Sequence, residues 1–251
     1  MYSNGYIFRF AIIMVVIVAA LLSGVSMALK PYQERNATNE KMQTILAAAE
    51  VSVDSDDEVD VMYDQYIKKE LVLNMSGEVI GLYENGQMVK GNVRAFDVKL
   101  KEQLKNIQAY HEGDKAVEVL LPAYIFDDGT KVLTIIPMQG KGLWGPIYGT
   151  IALKKDMNTL YGAVFNHKGE TPGLGAEIAT PSFQSQFKDK MIFDNGEFVS
   201  VAVVKGGVKN SAIDPSHGVD AISGGTITSV GVSDMIKNTF ELYVPYFTQQ
   251  H

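Results

Sequence analysis

The sequence predicts an α+β fold, with a single N-terminal transmembrane helix followed by a mixed, mainly antiparallel sheet domain with helices. Two observations support this. The twenty residues from Phe10 to Leu29 carry no charge, and a helix of that length spans about 30 Å, the hydrocarbon thickness of a bilayer. Beyond them, strand and helix signals are mixed without the regular alternation that a doubly wound parallel sheet requires. The 251-residue chain is long enough to add a folded domain with its own core.

The apolar segment defines the first part of the chain. Residues 1–30 are predicted as an N-terminal membrane anchor, with Lys30-Pro31 at the end of the helix. A cleaved signal peptide is the alternative, because Ser26 to Ala28 offers small residues suited to cleavage. A signal peptide usually has an apolar run of about 7–15 residues, which is shorter than the run found here. The anchor is therefore favoured.

Charge and composition exclude several classes of function. The chain has 22 basic and 29 acidic residues, so it lacks the basic surplus that binding to nucleic acid requires. It has no cysteine, which removes disulfides, thiolate metal sites and cysteine-ligated iron–sulfur clusters, and its four histidines are scattered. No metal site is predicted. Lys30, Arg35 and Lys41 follow the anchor, and by the positive-inside tendency they would place the domain in the cytoplasm.

Residues 31–116 are predicted as a membrane-proximal region of helices and strands. Tyr32 to Glu50 is rich in helix formers and predicts a helix. The acidic stretch from Val51 to Asp60 predicts a solvated turn; a calcium loop starting at Asp54 would need glycine where Val59 stands. The remaining predictions here are a short helix over 64–74, a hairpin over 77–91 whose turn is Asn-Gly at 85–86, and an amphipathic helix over 96–110.

Residues 117–251 are predicted as the ligand-binding domain. Apolar runs at 117–126 and 131–137, separated by Asp-Asp-Gly, indicate two strands joined by a turn. Val232, Ile236, Phe240 and Tyr243 form the apolar stripe of a helix. Of the 23 glycines in the chain, 15 fall between Gly140 and Gly231. Because glycine permits positive φ and close approach to the backbone, this half of the chain is the place to expect a ligand.

The first glycine cluster, Gly140 to Gly145, matches the spacing of a dinucleotide fingerprint. That fingerprint needs a helix directly after it, whereas residues 146–153 predict a strand, so a Rossmann site is rejected. Trp144, the only tryptophan, lies within this cluster. It is either a core aromatic residue or a wall against a flat ring, and the sequence does not decide between the two.

Two further segments complete the candidate site. The segment Gly169 to Glu177 combines three glycines and a proline with Glu170 and Thr171, and it predicts a ligand loop. The segment Ser223 to Ser229 precedes the predicted C-terminal helix, and a helix N-terminus favours phosphate. The alternative is a hydrolase in which His217 and Asp220 activate a hydroxyl, but no serine there stands in the G-x-S-x-G frame.

The segment DAISGGTITS, Asp220 to Ser229, resembles the flavinylation motif of the FMN-binding domain family, with Gly225 where that motif usually has alanine. Together with the anchor, GKGLW at 140–144, YG at 148–149 and GETPGLG at 169–175, it makes the chain similar to the C-subunit family of the sodium-translocating NADH:quinone oxidoreductases. The G-subunit family of the Rnf electron-transport complex is the nearest alternative. A noncatalytic periplasmic binding or assembly protein is a further one.

The resemblance implies a cofactor and residues that hold it. FMN would be bound covalently as a phosphoester of Thr226, and residues 117–251 would be the FMN-binding domain. Glu170 would organise the loop that contains Gly175, and Lys205 is a candidate for the phosphate or the ring, or else a solvated lysine at a strand end. The phosphate would be supported by Ser223, Gly224, Gly225 and Thr228, and the ring would lie beside Trp144, Thr171 and Leu174.

The resemblance also implies a role and partners. The chain would relay single electrons from NADH toward quinone in a sodium-pumping respiratory complex, and it would need no catalytic side chains of its own. Its partners would be the membrane subunits B, D and E, together with a flavin transferase that uses FAD and magnesium. The soluble domain would lie on the periplasmic side of the bacterial inner membrane. The count of basic residues favours the cytoplasm instead, and we give more weight to the resemblance.

Overall fold

The computed structural model describes residues 3–53 and 55–249. The chain divides into two compact units between Met42 and Gln43. Helix α1, Asn4–Ala48, contains a window with a mean hydropathy of 2.7 and no buried residue, so it is long and apolar enough to cross a membrane. The predicted helix end at Lys30-Pro31 is wrong, because Pro31 lies inside α1. Proline costs the helix one backbone hydrogen bond, and the helix formers after it continue the helix.

The second unit is built on a seven-stranded antiparallel sheet, which confirms the predicted α+β class. The strand order is β3-β2-β1-β4-β5-β6-β7. In chain order the strands are β1 (Ile67–Leu73), β2 (Val79–Glu84), β3 (Gln87–Lys90), β4 (Leu121–Asp127), β5 (Val132–Lys141), β6 (Pro146–Leu153) and β7 (Leu160–His167).

Four short strands form two additional pairs. Strands β8 (Phe193–Asp194) and β9 (Glu197–Phe198) are antiparallel. Strands β10 (Ala202–Val204) and β11 (Gly218–Asp220) are parallel, and β11 leads into the last helix.

In the described part of the chain, four α-helices follow α1: α2 (Val59–Tyr66), α3 (Leu100–His111), α4 (Pro181–Gln184) and α5 (Thr226–Gln249). Helix α3 and the hairpin of β2 and β3 confirm their predictions, and the turn residues Asn85 and Gly86 both have positive φ. The predicted helix over 64–74 is wrong, because β1 occupies most of it. Strand β1 pairs with both β2 and β4, and this pairing outweighs the local helix preference. Residues 56–58 form a turn, and Asp54 lies outside the described residues.

The sheet runs across the predicted boundary at residue 116, because β1 pairs directly with β4. The division into residues 31–116 and 117–251 stays a prediction about which part binds the cofactor. Within residues 31–116, the buried carboxylate of Glu70 in β1 accepts hydrogen bonds from Arg94 at 2.5 Å, from the N–H of Phe96 at 3.0 Å and from the hydroxyl of Tyr63 at 3.2 Å.

Helix α5 packs on β5 and β6 and supplies much of the core. Its predicted apolar stripe, Val232, Ile236, Phe240 and Tyr243, is buried. The Tyr243 hydroxyl donates to the carbonyl of Pro122 at 2.7 Å. Gly231 lies so close to the carbonyl of Lys141 that a Cβ would overlap that oxygen. The start of α5 is thereby held against the connection between β5 and β6.

Candidate functional site

The carboxylate of Glu170 joins the three segments that the sequence singled out. Its Oε1 accepts the backbone N–H of Trp144 at 2.9 Å, in the connection between β5 and β6. Its Oε2 accepts the hydroxyl of Thr228 at 2.6 Å, in the first turn of α5. The backbone N–H groups of Leu143 and Gly145 also hydrogen-bond to it. Glu170 itself belongs to the loop after β7, so one side chain fixes all three segments.

Glu170 is charged although it is only 5% exposed. Burial raises the pKa of its carboxyl group, because a low-dielectric environment disfavours the charge. The hydrogen bonds from Thr228, Trp144, Gly145 and Leu143 outweigh that effect and hold the pKa below its ordinary value of 4.5. The site therefore contains a buried carboxylate at neutral pH.

Two glycines allow the segments to pack this closely. A Cβ at Gly175 would overlap the Thr228 hydroxyl oxygen and stand 2.6 Å from Oε2 of Glu170. Gly224 has φ of +75°, and a Cβ there would stand 2.6 Å from Cδ2 of Leu174. Any larger residue at either position would separate the loop after β7 from the start of α5.

Thr226 is the first residue of α5 and is half-buried. The backbone N–H groups in the first turn of a helix have no partner within the helix, so they can bind an anion. Ser223 and Gly224 in the preceding turn are exposed, whereas Gly225 and Thr228 are buried. Thr226 thus begins the helix directly after a turn in which Ser223 and Gly224 are exposed.

Ser229, the last residue of the predicted segment 223–229, has a structural role that the sequence did not assign to it. Its hydroxyl accepts the N–H of Ile222 at 3.1 Å, and its own N–H donates to the carbonyl of Gly225 at 2.9 Å. These bonds close the turn around Thr226. Its place at the end of the predicted segment, four positions after Gly225, is the signal that could have indicated this role.

Each of the three segments carries an exposed apolar side chain. Trp144 is 69% exposed, Ile227 is 59% exposed and Leu174 is 41% exposed, and Thr171 is also exposed. The interpretation of Trp144 as a core aromatic residue is therefore wrong. Its alternative role, as a wall against a flat ring, remains a prediction that the exposed indole permits.

Lys205 follows β10 and is exposed. Among the described residues, no hydrogen bond or ion pair joins it to the turn at 223–228. Val208, three residues after Lys205, donates its N–H to Oδ1 of Asp220 at 2.7 Å. This bond joins the turn after β10 to the end of β11. A role for Lys205 at the phosphate or the ring stays a prediction.

The groups required for the hydrolase alternative are engaged elsewhere. Nδ1 of His217 lies 2.6 Å from the carbonyl oxygen of Met191. Asp220 accepts from Val208, as described above. Within residues 3–53 and 55–249, neither group is hydrogen-bonded to Ser223 or Thr226, so the structure does not assemble an activated nucleophile there.

The residues present fit FMN. Its phosphate is an anion suited to the start of α5, where Ser223 and Gly224 in the preceding turn are exposed. Its ring is flat and largely apolar, and the exposed side chains of Trp144 and Leu174 offer it matching surfaces.

Comparison with known proteins agrees with this chemistry. Residues 142–241 match the FMN-binding domain family, a range that includes Glu170, Thr226 and Thr228. Fold and site therefore define a protein of the FMN-binding class. The C subunit of the Na(+)-translocating NADH-quinone reductase from Vibrio vulnificus (strain YJ016) is 33% identical over 233 residues, which cover 89% of this chain and 84% of the relative. The corresponding protein of Neisseria meningitidis (strain Z2491) is 31% identical over 237 residues, covering 93% and 89%.

Solved structures give the same result. The crystal structure of the Na(+)-translocating NADH-quinone reductase C subunit from Parabacteroides distasonis matches with a TM-score of 0.72 and 38% identity, covering 89% of this chain and 98% of that one. The crystal structure of Shewanella oneidensis NqrC matches with a TM-score of 0.63 and 28% identity, covering 86% and 98%. The chain belongs to the C-subunit family of the Na(+)-translocating NADH-quinone reductases.

This membership confirms the resemblance to the C-subunit family over the G-subunit alternative. The chain is a flavoprotein subunit of an oxidoreductase complex, with other subunits as its partners. Membership in a membrane complex and the apolar helix α1 together support membrane anchoring.

Proposed function

We propose that this subunit carries FMN covalently on Thr226 through a phosphoester and relays single electrons from NADH toward quinone in the sodium-pumping complex. The observation that carries the proposal is the position of Thr226. It begins α5 directly after an exposed turn, and the Glu170 carboxylate joins the first turn of that helix to the backbone of Trp144, whose side chain is exposed. When bound, FMN supplies the one-electron chemistry that protein side chains lack.

The attachment requires only a hydroxyl from this chain. We propose that a flavin transferase with magnesium presents FAD, whose phosphorus next to the riboflavin is attacked by Oγ of Thr226. A new O–P bond forms, the bond to the adenylate breaks, and the hydroxyl proton is released with AMP. The exposed Ser223 and the backbone of Gly224 and Gly225 would then contact the phosphate. Thr228 would act through Glu170, because its hydroxyl already donates to that carboxylate.

The ring would lie on the surface made by Trp144, Thr171 and Leu174. Glu170 fixes the backbone of Trp144 by a direct hydrogen bond, and its own loop continues through Leu174 to Gly175. The apolar ring would cover side chains that are otherwise in contact with water, which is favourable by about 25 cal/mol per Å² of apolar surface buried. Lys205 would supply a positive charge toward the phosphate or the ring.

The test of covalent attachment is a comparison of two variants. The full chain is coexpressed with the transferase, and FMN is detected by intact mass and by ultraviolet fluorescence in a denaturing gel. Thr226→Val removes the hydroxyl at almost constant shape and is expected to abolish both signals. Ser223→Ala, which removes the neighbouring hydroxyl, is expected to keep both. Covalent FMN on the Thr226→Val protein would refute the proposal, and a colourless parent protein would support a noncatalytic binding role instead.

We further propose an arrangement for the whole chain. Residues 1–30 anchor it in the bacterial inner membrane, residues 31–116 form the membrane-proximal region, and residues 117–251 bind FMN on the periplasmic side. The subunits B, D and E would be its neighbours.

The side of the membrane can be tested cleanly because the chain has no cysteine. A single cysteine placed at the exposed Gln87 in β3 should react with a membrane-impermeant maleimide in intact spheroplasts. Reaction only after lysis would place the domain in the cytoplasm, as the count of basic residues suggests.

A further inference from the structure

The charge of Glu170 is balanced by neutral groups. Its partners are the hydroxyl of Thr228 and the backbone N–H groups of residues 143–145. Within the part of the chain that the structure describes, no lysine, arginine or histidine forms an ion pair with it. Neutral donors stabilise a carboxylate but leave its net charge in place. The cluster therefore holds a buried carboxylate that has no ion-pair partner among the described residues.

This charge is held by the helical turn that contains the attachment residue. Thr228, whose hydroxyl is 2.6 Å from Oε2 of Glu170, is two residues after Thr226 in the same helical turn. On its other side the carboxylate is 2.9 Å from the backbone nitrogen of Trp144. The charge is thus held between the first turn of α5 and the backbone of the connection that contains Trp144. The side chain is almost fully buried, but Trp144, which donates its backbone N–H to it, and Leu174 in the same loop are exposed, so the effective dielectric constant of about 20 that is typical near a protein surface applies to its charge.

We propose that the buried Glu170 carboxylate lowers the reduction potential of the FMN held at Thr226. This inference rests on the function proposed above. One electron, supplied from NADH through the complex, adds one negative charge to the neutral oxidised ring, and the fixed carboxylate repels that charge. For unit charges about 10 Å apart at an effective dielectric constant of about 20, the reduction equilibrium changes roughly tenfold. A tenfold change corresponds to about 59 mV for one electron.

The test measures the midpoint potential of the full chain after covalent loading, by spectroelectrochemical titration at fixed pH and salt. Glu170→Gln keeps the shape and removes the charge, and it is expected to raise the potential by about 59 mV. Glu170→Asp keeps the charge and should stay close to the parent. The matched control is Glu177→Gln in the same loop. Glu177 is partly exposed and accepts the N–H of Gly173 at 2.9 Å, so solvent screening should leave its shift small.

Several outcomes would overturn the inference. A Glu170→Gln protein with full FMN occupancy and the parent's potential would do so. Equal shifts in the Gln and Asp variants would also do so, because they would show a purely positional effect. If the Gln variant does not load FMN, Thr228→Val provides the test. It removes a hydrogen-bond donor that partly shields the carboxylate charge, so the reduction potential of the flavin should fall. An unchanged or higher potential refutes the inference. Absence of covalent FMN from the parent, seen first by mass, refutes the proposed function and this inference with it.

Discussion

The packing between the loop after β7 and the start of α5 predicts that Gly175→Ala is strongly destabilising. A Cβ at this position would overlap the Thr228 hydroxyl and stand 2.6 Å from Oε2 of Glu170. Overpacking of a tight core costs about 1–3 kcal/mol. Displacing the Thr228 hydroxyl also weakens a hydrogen bond to a charged group, at about 1.5–3 kcal/mol. The expected total of about 2.5–6 kcal/mol is a large part of the roughly 5–15 kcal/mol that stabilises a typical domain.

The assay is thermal unfolding of the full chain in detergent, followed by circular dichroism. With about 2–4 °C per kcal/mol for a domain of this size, the Tm of Gly175→Ala should fall by at least about 5 °C. Gly169→Ala is the matched control, because a Cβ at Gly169 meets nothing within 4 Å and its φ is not positive. It should change stability by less than about 0.5 kcal/mol. Equal Tm values for the two variants would refute the claim that Gly175 is required for close packing.

Three further predictions concern stability. Tyr243→Phe leaves the buried carbonyl of Pro122 without its donor, and urea unfolding should show a loss of about 1–3 kcal/mol with an unchanged m value. Glu70→Gln removes the charge that pairs with Arg94, and chemical denaturation should show a loss of roughly 3 kcal/mol; less than 0.5 kcal/mol would contradict a structural role for the pair. The pKa of Glu170 is lowered in the folded state. The charged carboxylate therefore contributes fully to stability above about pH 4.5, and this contribution disappears as the pH falls through the folded pKa. In the Glu170→Gln variant, the free energy of unfolding should depend less on pH in this acidic range.

The parts of the fold that the sequence predicted are those in which local pattern and tertiary environment agree. The stripe of α5 repeats at helical spacing and is buried along its length. The Asn85-Gly86 turn has the positive φ values that a tight hairpin needs. The helix predicted over 64–74 failed because Ile67–Leu73 has neighbours on both sides in the sheet. Those neighbours come from distant parts of the chain and leave no local signal.

The candidate site was predictable in its pieces but not in its assembly. Glycines, a helix N-terminus and hydroxyls indicated each of the three segments separately. Glu170 and Thr228 are 58 positions apart, and the chain between them includes two small strand pairs, so no spacing rule connects them. The exposure of Trp144 was equally hidden, because a tryptophan in a glycine-rich connection can point inward or outward.

Two glycines of the glycine-rich half of the chain allow hydrogen-bond donors to reach the Glu170 carboxylate. A Cβ at Gly142 would stand 2.5 Å from Oε1 of that carboxylate, and one at Gly175 would stand 2.6 Å from Oε2. Without side chains at these positions, backbone N–H groups and the Thr228 hydroxyl reach both oxygens. A lysine or arginine partner could also have stabilised the carboxylate, but it would have cancelled the charge. Glycine therefore lets the fold bury a carboxylate at the first turn of α5 and keep it charged, which is the condition on which the proposed effect on the flavin potential rests.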